Sequence, residues 1–258
     1  MRINSPHLNL IYKACIKASK SLIRDFGEIE KLQVSTKGPG DFVTSADKKI
    51  EKILIEELSD AHPDYGILSE EVGEIKSKST NKRWIIDPID GTSNFMNGVP
   101  QFAISVAYED SGEIKSGIIF DPIKNEMFFA DKGSGAFLNN SRIRVSKKKS
   151  VFDALFVTGG PHKSSKNKKF IFDEYKKVSE NINFPIRKMG SAALDIAYVA
   201  SGRFDCFWQR EINYWDIAAG IIILKEAGGL LELKNNGSKL DIICSNSNIF
   251  DNFRELLK

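Results

Sequence analysis

The chain has 258 residues, of which 41% are hydrophobic, and this is enough for a substantial core. Such a composition excludes a disordered or fibrous protein. Lysine and arginine number 37 against 34 acidic residues, so the net charge is only +3 and excludes a dominant nucleic-acid-binding surface.

The N-terminal half is predicted to form two helices followed by a run of strands. Apolar residues at helical spacing between Leu8 and Phe26 predict an amphipathic helix, and the lysines within it exclude a signal peptide. After a Gly/Pro loop at 38–40, a second helix is predicted until Pro63 stops it. Strands joined by Gly, Asp and Asn turns are then predicted in YGILSEE, RWIIDP, QFAISVAYED, EIKSGIIFDP and NEMFFADKGSGAFLNN.

From about Val151, predicted helices and strands alternate. ALFVTG and FDCFWQ are predicted strands, and FIFDEYKKVSENI and SAALDIAYVASG are predicted helices. WDIAAGIIILKEAGG predicts a long helix, with Gly228 and Gly229 suited to a left-handed C-terminal cap. This order predicts a mixed α+β fold in one domain over 1–258, with halves of about 1–150 and 151–258 that share one interface.

Cysteine and histidine residues carry no metal or disulfide pattern. The three cysteines, Cys15, Cys206 and Cys244, are far apart and odd in number. We therefore expect the protein to reside in the reducing cytoplasm. No apolar run approaches the ~20 residues that cross a bilayer, and we expect no membrane association. His7, His62 and His162 lack ligand spacing, and we interpret them as structural or solvent-exposed.

Two acids close the apolar run in WIIDPIDGTSNF. Trp84 to Ile86 predict a buried strand, and Pro88 removes the next amide donor, so we expect the ladder to end at Asp87. After Asp90, Gly91 and Thr92 open a segment whose free amides would bind a phosphate. On this stretch alone, ordinary Asp-Pro and Asp-Gly turn chemistry explains the acids about equally well.

Other acids also fall at the ends of predicted elements. Asp47 precedes a helix, Glu70 and Glu71 follow a strand, and Asp216 lies in a first helical turn. A solvated face or the helix dipole explains each of them singly. If they converge, however, their repulsion raises their pKa values unless divalent cations neutralise them. Hard oxygen ligands with few histidines favour Mg²⁺ over zinc or iron.

Four segments resemble, in order and spacing, the motifs of the inositol monophosphatase family: GDFVTSAD at 40–47, SEE at 69–71, WIIDPIDGTSNF at 84–95 and WDIAAGIIILKEAGG at 215–229. The family comprises Mg²⁺-dependent, lithium-sensitive phosphomonoesterases, often dimeric. The resemblance therefore implies a hydrolase of a small phosphate monoester, first of all inositol monophosphate, and a homodimer. It also implies the layered α-β-α-β-α sandwich of the inositol monophosphatase and fructose-bisphosphatase type.

The resemblance also implies roles for individual residues. Glu70, Asp87 and the Ile89 carbonyl would hold a first Mg²⁺, and Asp87 would bridge to a second one held by Asp90 and Asp216; a third, weaker site near Glu70 is left open. Thr92 paired with Asp47 would orient and deprotonate a metal-bound water. The implied catalytic residues are Asp47, Glu70 and Thr92, and the implied substrate-binding residues are Ile89, Asp90, Gly91, Thr92, Gly190, Ser191, Ala192, Gln209 and Asp216.

Gln209 departs from the family pattern. The family commonly has Glu at this position, which accepts hydrogen bonds from inositol hydroxyls, whereas the Gln209 amide accepts at one oxygen and also donates. The phosphate ester of another polyol, a sugar or a nucleoside therefore stays open as the substrate. The GPG segment at 38–40 is interpreted as a mobile lid, with Lys37 available to the phosphate.

Lysine clusters at 147–149 and 163–169 are interpreted as solvated loops. Some bacterial members of the family bind RNA or the transcription machinery, so an RNA-associated regulator with incidental phosphatase activity is the alternative from another class. Salt-sensitive RNA binding that depends on Lys166, Lys168 and Lys169 would favour it. The retained acids argue against it, because a pure binding module does not need them.

Overall fold

Helices and sheets alternate in layers in this computed structural model, which describes residues 5–28, 34–38, 41–77, 79, 81–161 and 165–258, without the side chains of 34–38 and 41–43. Residues 39 and 40 of the predicted lid at 38–40 lie outside these described parts, as do the Lys37 side chain, His162 and Lys163. The helices are α1 (Pro6–Gly27), α2 (Ser45–Ala61), α3 (Thr92–Met96), α4 (Lys168–Ser179), α5 (Ala192–Ala200), α6 (Tyr214–Glu226) and α7 (Phe250–Leu256).

The strands form one large sheet, one smaller sheet and a hairpin. The hairpin pairs β1 (Val34–Gly38) with β2 (Asp41–Thr44). In the order β10-β9-β8-β7-β6-β5-β3-β4, the large sheet contains β3 (Gly66–Ser69), β4 (Gly73–Ile75), β5 (Lys82–Asp90), β6 (Ala103–Asp110), β7 (Glu113–Asp121), β8 (Glu126–Asp131), β9 (Gly135–Leu138) and β10 (Ser141–Ile143). In the order β11-β12-β14-β13, the small sheet contains β11 (Phe156–Thr158), β12 (Cys206–Ile212), β13 (Gly229–Asn236) and β14 (Lys239–Asn246).

Both faces of the large sheet are covered by helices. Successive side chains of a strand point to opposite faces. On β5, Trp84 and Ile86 belong to the core that contains Ile11 of α1, whereas Ile85 belongs to the core that contains Leu194 of α5. A strand that is covered on both faces is apolar at successive positions rather than at alternate ones. This explains the apolar run from Trp84 to Ile86 in β5.

The small sheet is sandwiched in the same way. Phe207 of β12 belongs to the core that contains α5 and α6, whereas its neighbour Trp208 packs with Val178 of α4 and Phe253 of α7. The layers are therefore α1 and α2, the large sheet, α5 and α6, the small sheet, then α4 and α7. This confirms the predicted α-β-α-β-α order, while the division into halves near residue 150 stays a prediction.

The end of β5 was predicted incorrectly. Its ladder with the parallel strand β3 does stop at Ile86, but its antiparallel ladder with β6 continues to Asp90. Asp87 lies opposite Ser105 and Asp90 opposite Ala103, so β5 contains one residue more than β6 in this interval. Such a β-bulge accommodates Pro88, which has no amide to donate to a regular ladder.

The predicted structural role of two histidines agrees with their surroundings. His7 stacks on Tyr108 at 3.9 Å between ring centroids, and its Nε2 lies 3.1 Å from the Tyr65 hydroxyl. His62 stacks on Tyr65 at 4.4 Å. Burial lowers the pKa of His7, helped by the charges of His62 and Lys82. These two histidines connect the start of α1 to the end of α2, and neither is among the residues that line the acidic cavity.

None of the described helices combines the length and hydropathy that a membrane-crossing helix needs. The three cysteines are buried and free.

Close packing of α6 on β7 depends on Gly117. A Cβ added there would lie 2.9 Å from the Ala219 Cα and 2.9 Å from the Ile222 Cγ2. Backbone and core side chains of α6 would have to move to admit even one methyl group. Gly117 thus fixes the distance between the large sheet and the helix that carries Asp216.

We expect Gly117→Ala to destabilise the protein by about 1–3 kcal/mol, because overpacking forces the helix off the sheet. Gly27→Ala is the matched control, since nothing lies within 4 Å of a Cβ at that position. Urea unfolding followed by circular dichroism measures both. Equal midpoints for Gly117→Ala and wild type would contradict this account of the packing.

Candidate active site

A cavity of about 440 Å³ opens where the large sheet, α3 and α6 meet. It gathers acids that are distant in sequence, because the carboxyl ends of β3 and β5 lie beside the first turn of α6. Among the described residues its lining is Glu70, Asp87, Ile89, Asp90, Gly91, Thr92, Asn213, Trp215, Asp216 and Lys239. The predicted metal ligands thus lie together, whereas Asn213, Trp215 and Lys239 were not predicted from the sequence.

The bulge in β5 explains how two acids three residues apart reach the same cavity. On a regular strand, residues separated by three point to opposite faces. The extra residue between Asp87 and Asp90 brings their side chains back into phase. The Asp87 Oδ1 atom accepts a hydrogen bond from the Ile89 amide at 3.1 Å, which fixes the bulged backbone.

Gly91 makes the turn from β5 into α3. Its φ of +100° is in the left-handed region, which side chains with a Cβ rarely adopt. A Cβ there would also lie 3.0 Å from the Gln101 carbonyl oxygen and 3.1 Å from that of Gly190. The tight turn places Gly91 and Thr92 in the lining of the cavity, and the first amides of a helix have no partner within it.

Thr92 and Asp47 form the predicted pair. The Thr92 Oγ1 atom lies 3.1 Å from the Asp47 Oδ1 and 3.0 Å from the Ile89 carbonyl oxygen. The hydroxyl has one proton, so it donates to one of these oxygens at a time. The other carboxylate oxygen of Asp47 accepts from the Thr44 amide at 2.8 Å and from its hydroxyl at 2.5 Å, a capping box that begins α2.

A buried carboxylate that the sequence reasoning missed supports the turn that carries Glu70. The Glu51 Oε1 atom accepts from the Glu71 amide at 3.0 Å and from the Val72 amide at 3.3 Å. Glu51 follows Asp47 by four residues, so both acids lie on one face of α2. That spacing is the sequence pattern that would have indicated it.

Asp90 is held by the start of α5. Its Oδ2 atom accepts from the Ala193 amide at 2.8 Å and from the Ser191 hydroxyl. The N-terminus of a helix favours a negative charge, so α5 partly offsets the cost of burying this carboxylate. The backbone of Gly190, Ser191 and Ala192 is thereby placed beside the site, but its contact with substrate stays a prediction.

Asp216 begins α6 in a capping box with Asn213. The Asn213 amide donates to the Asp216 Oδ2 at 3.1 Å, which leaves the other oxygen of the carboxylate for the cavity. The neighbouring Tyr214 hydroxyl donates to the buried Glu109 at 2.7 Å and ties the helix start to β6. The sequence pattern Asn-x-x-Asp would have indicated Asn213 as the cap.

Gln209 does not line the described part of the cavity. It lies on β12 with its side-chain amide against the backbone of Gly159, where an added Cβ would be 2.2 Å from the Gln209 Oε1. The absence of a side chain at Gly159 therefore creates the space that Gln209 occupies. Its predicted contact with substrate remains a prediction.

Burial, together with neighbouring carboxylates at Asp87 and Asp216, raises the pKa values of the acids in the cavity. Burial raises the pKa of Asp87 well above its ordinary value, and the charges of Glu70, Asp90 and Asp216 raise it further. Burial raises the pKa of Asp90 to about 6, against its hydrogen bonds from Ser191 and the α5 backbone. The pKa values of Asp216 and Asp47 are also raised, chiefly by burial. Negative charge in this cavity is therefore unfavourable without a compensating cation.

The oxygen atoms that line the cavity are of the chemical type that binds Mg²⁺. In the described parts of the chain, no three Asp, Glu, His or Cys side chains close around a single point as a finished cage would. Mg²⁺ is commonly bound by one or two carboxylates and keeps several waters, so it does not require such a cage. Buried carboxylates and the Ile89 carbonyl supply hard oxygen atoms, and their mutual repulsion is what a divalent cation would relieve.

Comparisons with known proteins agree with this geometry. The family model described as the inositol monophosphatase family matches residues 4–253. A Rhizobium meliloti protein named inositol-1-monophosphatase is 48% identical over 97% of this chain and 96% of its own length. A Pasteurella multocida protein named Nus factor SuhB is 38% identical over 90% of this chain and 87% of its own.

A solved structure agrees in fold. The crystal structure of the extragenic suppressor protein suhB from Bartonella henselae has a TM-score of 0.93 and 44% identity, and the match covers 98% of this chain and 99% of that one. The chain therefore belongs to the inositol monophosphatase family, whose members are metal-dependent hydrolases of phosphate monoesters.

Proposed function

We propose that the protein hydrolyses inositol monophosphate to inositol and phosphate with the help of Mg²⁺. The observation that carries this proposal is the convergence of Glu70, Asp87, Asp90 and Asp216 on one cavity, beside the Thr92–Asp47 pair. The similarity to a protein named inositol-1-monophosphatase supports the choice of substrate.

We assign the cations as the resemblance implies. Glu70, Asp87 and the Ile89 carbonyl would hold one Mg²⁺, and Asp87, Asp90 and Asp216 would hold a second. A third ion near Glu70 stays open. Bound Mg²⁺ lowers the pKa of water and offsets the negative charge of the phosphoryl group.

The protein's own groups place the reactants. The Thr92 hydroxyl donates to Asp47, so its lone pairs are free to accept a hydrogen bond from the attacking water. Burial raises the pKa of Asp47, and a more basic carboxylate is better able to take the proton that leaves through Thr92. The amides of Gly91 and Thr92 bind the phosphate at the start of α3. Catalysis then rests on positioning and electrostatic stabilisation.

The alcohol part of the substrate is less constrained than the phosphate. Gln209 keeps one acceptor oxygen where the family commonly has a carboxylate, and its amide packs against Gly159. Another polyol, sugar or nucleoside monophosphate therefore remains the alternative substrate. If the protein hydrolyses only one of these compounds, the proposed mechanism stands and the assigned substrate is wrong.

We expect Mg²⁺-dependent, lithium-sensitive phosphate release from inositol monophosphate in a panel that also contains sugar, glycerol and nucleoside monophosphates. Asp87→Asn and Asp216→Asn should each lower kcat by about 10³-fold or more, because each removes a charge that holds a cation. The assay is colorimetric phosphate release from purified protein.

Asp251→Asn is the matched control, since its side chain is 82% exposed and it belongs to α7, no residue of which lines the described part of the cavity. It should retain wild-type turnover. Near wild-type activity of Asp87→Asn or Asp216→Asn would contradict the assigned ligands. If the wild type releases phosphate from none of the compounds in the panel, the proposed activity is contradicted.

Without Mg²⁺, stability should fall as the pH rises. Because the folded pKa of Asp90 is raised to about 6, the folded state binds more protons than the unfolded state between about pH 4 and 6. The stability that neutral Asp90 contributes is complete below this window and is lost as the pH rises through it. The difference in Tm between wild type and Asp90→Asn should shrink or reverse over that range in a chelator.

At pH 7, saturating Mg²⁺ should raise the Tm of wild type by about 5 °C and leave that of Asp87→Asn nearly unchanged. Differential scanning fluorimetry measures both series. A wild-type Tm that is independent of Mg²⁺ would contradict cation binding by these carboxylates.

We propose two kinds of partner. The first is a homodimer, which sedimentation would detect. The second is RNA association, favoured by relatives named Nus factor SuhB and by exposed Lys166, Lys168 and Lys169 beside the exposed Phe170. Salt-sensitive RNA binding that is lost when these lysines are neutralised would favour that role over the enzymatic one.

A further inference from the structure

Lys239 is the one cation among the described residues that line the acidic cavity. It is the first residue of β14 and follows a two-residue turn from β13, in which Gly237 has a φ of +64°. Gly at the first central position of such a turn is typical of a type II′ hairpin. The hairpin thus fixes where Lys239 begins its strand.

Strand register brings Lys239 to the start of α6. β12 and β14 are antiparallel, and Ile212 lies opposite Leu240. The next residue on each side, Asn213 and Lys239, therefore leaves the small sheet at the same end. Asn213 caps α6 and is followed three residues later by Asp216, so Lys239 lies beside the first turn that carries this acid. Burial and the neighbouring acids raise the pKa of Asp216, and the charge of Lys239 opposes this rise, which agrees with the placement.

The ammonium of Lys239 has no ion-pair partner within 4.0 Å in the described parts of the chain, although the residue is half-buried. The ammonium carries three donors, and where the side chain lies against the cavity wall a ligand can supply acceptors in place of water. By contrast, the exposed Lys234 on the same hairpin pairs with Glu232 at 3.0 Å. The ammonium of Lys239 can therefore donate hydrogen bonds to the oxygen atoms of a ligand in the cavity.

The two walls of the cavity indicate which part of the substrate Lys239 meets. Gly91 and Thr92, which we assign to the phosphate, belong to the junction of β5 and α3 on the large-sheet wall. Lys239 and Asn213 come from the small-sheet wall. A phosphate on the first wall leaves the second wall to the alcohol part.

We propose that Lys239 is a substrate-binding residue that donates hydrogen bonds to the hydroxyl oxygens of the alcohol part of the phosphate monoester. This inference rests on the proposed function and deepens it: the protein selects oxygen-rich alcohols, such as polyols, through Lys239 in addition to any contact from Gln209. An alcohol part without hydroxyls gains nothing from this residue.

The test is steady-state kinetics of Lys239→Met, with Lys234→Met as the matched control from the same hairpin. For inositol monophosphate, Lys239→Met should raise KM by about tenfold or more with kcat nearly unchanged, since a contact made equally in the ground and transition states affects only binding. Inhibition by inorganic phosphate should be unchanged, because phosphate lacks the alcohol part. Lys239→Arg, which keeps the charge, should recover most of the loss, and Lys234→Met should behave as wild type.

An unchanged KM in Lys239→Met would overturn the proposal. A parallel weakening of inorganic phosphate inhibition would also overturn it, since the contact would then be with the phosphate. A wild type that turns over no monoester would refute the proposed function instead. In that case calorimetric titration with inositol monophosphate still decides the role of Lys239: weaker binding by Lys239→Met upholds the contact, and equal binding excludes it.

Discussion

Repulsion among buried carboxylates is the interaction on which the rest of the site depends. Burial in one cavity raises the pKa of Asp87, Asp90 and Asp216. The charges of Glu70 and Asp90 raise the pKa values of Asp87 and Asp216 further. Such an arrangement opposes folding at neutral pH unless positive charge is supplied. The scaffold supplies part of it, through the N-terminus of α5 at Asp90 and the N-terminus of α6 at Asp216. Divalent cations would supply the remainder.

The layered fold is what keeps these acids at fixed positions. The bulge in β5 sets the phase of Asp87 and Asp90, while Gly117 lets α6 approach the large sheet closely enough to present Asp216. The bulged end of β5 at 87–90 and the middle of α6 at 217–224 are buried, so close packing sets their positions. A site held in this way is preorganised for electrostatic catalysis, since the surrounding core does not rearrange when charge develops.

Local sequence patterns predicted most of the elements of the fold and the positions of the acids. They did not predict features that depend on how the strands pair. Strands such as β5 are readable because both faces are apolar, and Asp47, Glu70 and Asp216 fall at element ends. Pro88 misled the prediction of the strand end, because a bulge satisfies the ladder where a regular strand does not. Lys239 could not be predicted, since its place in the cavity depends on the pairing of Ile212 with Leu240 across the small sheet. Asn213 had a cap pattern but no pattern that linked it to the cavity.

The central claim is that these carboxylates bind divalent cations at the junction of β5 and α6. The most direct measurement is a crystal structure of the protein soaked with Mn²⁺, an Mg²⁺ substitute that can be located by its anomalous scattering. The account predicts two strong peaks about 4 Å apart, both in contact with Asp87, one of them also with Glu70 and the other with Asp90 and Asp216. Peaks elsewhere, or none at these side chains in crystals that diffract well, would contradict it.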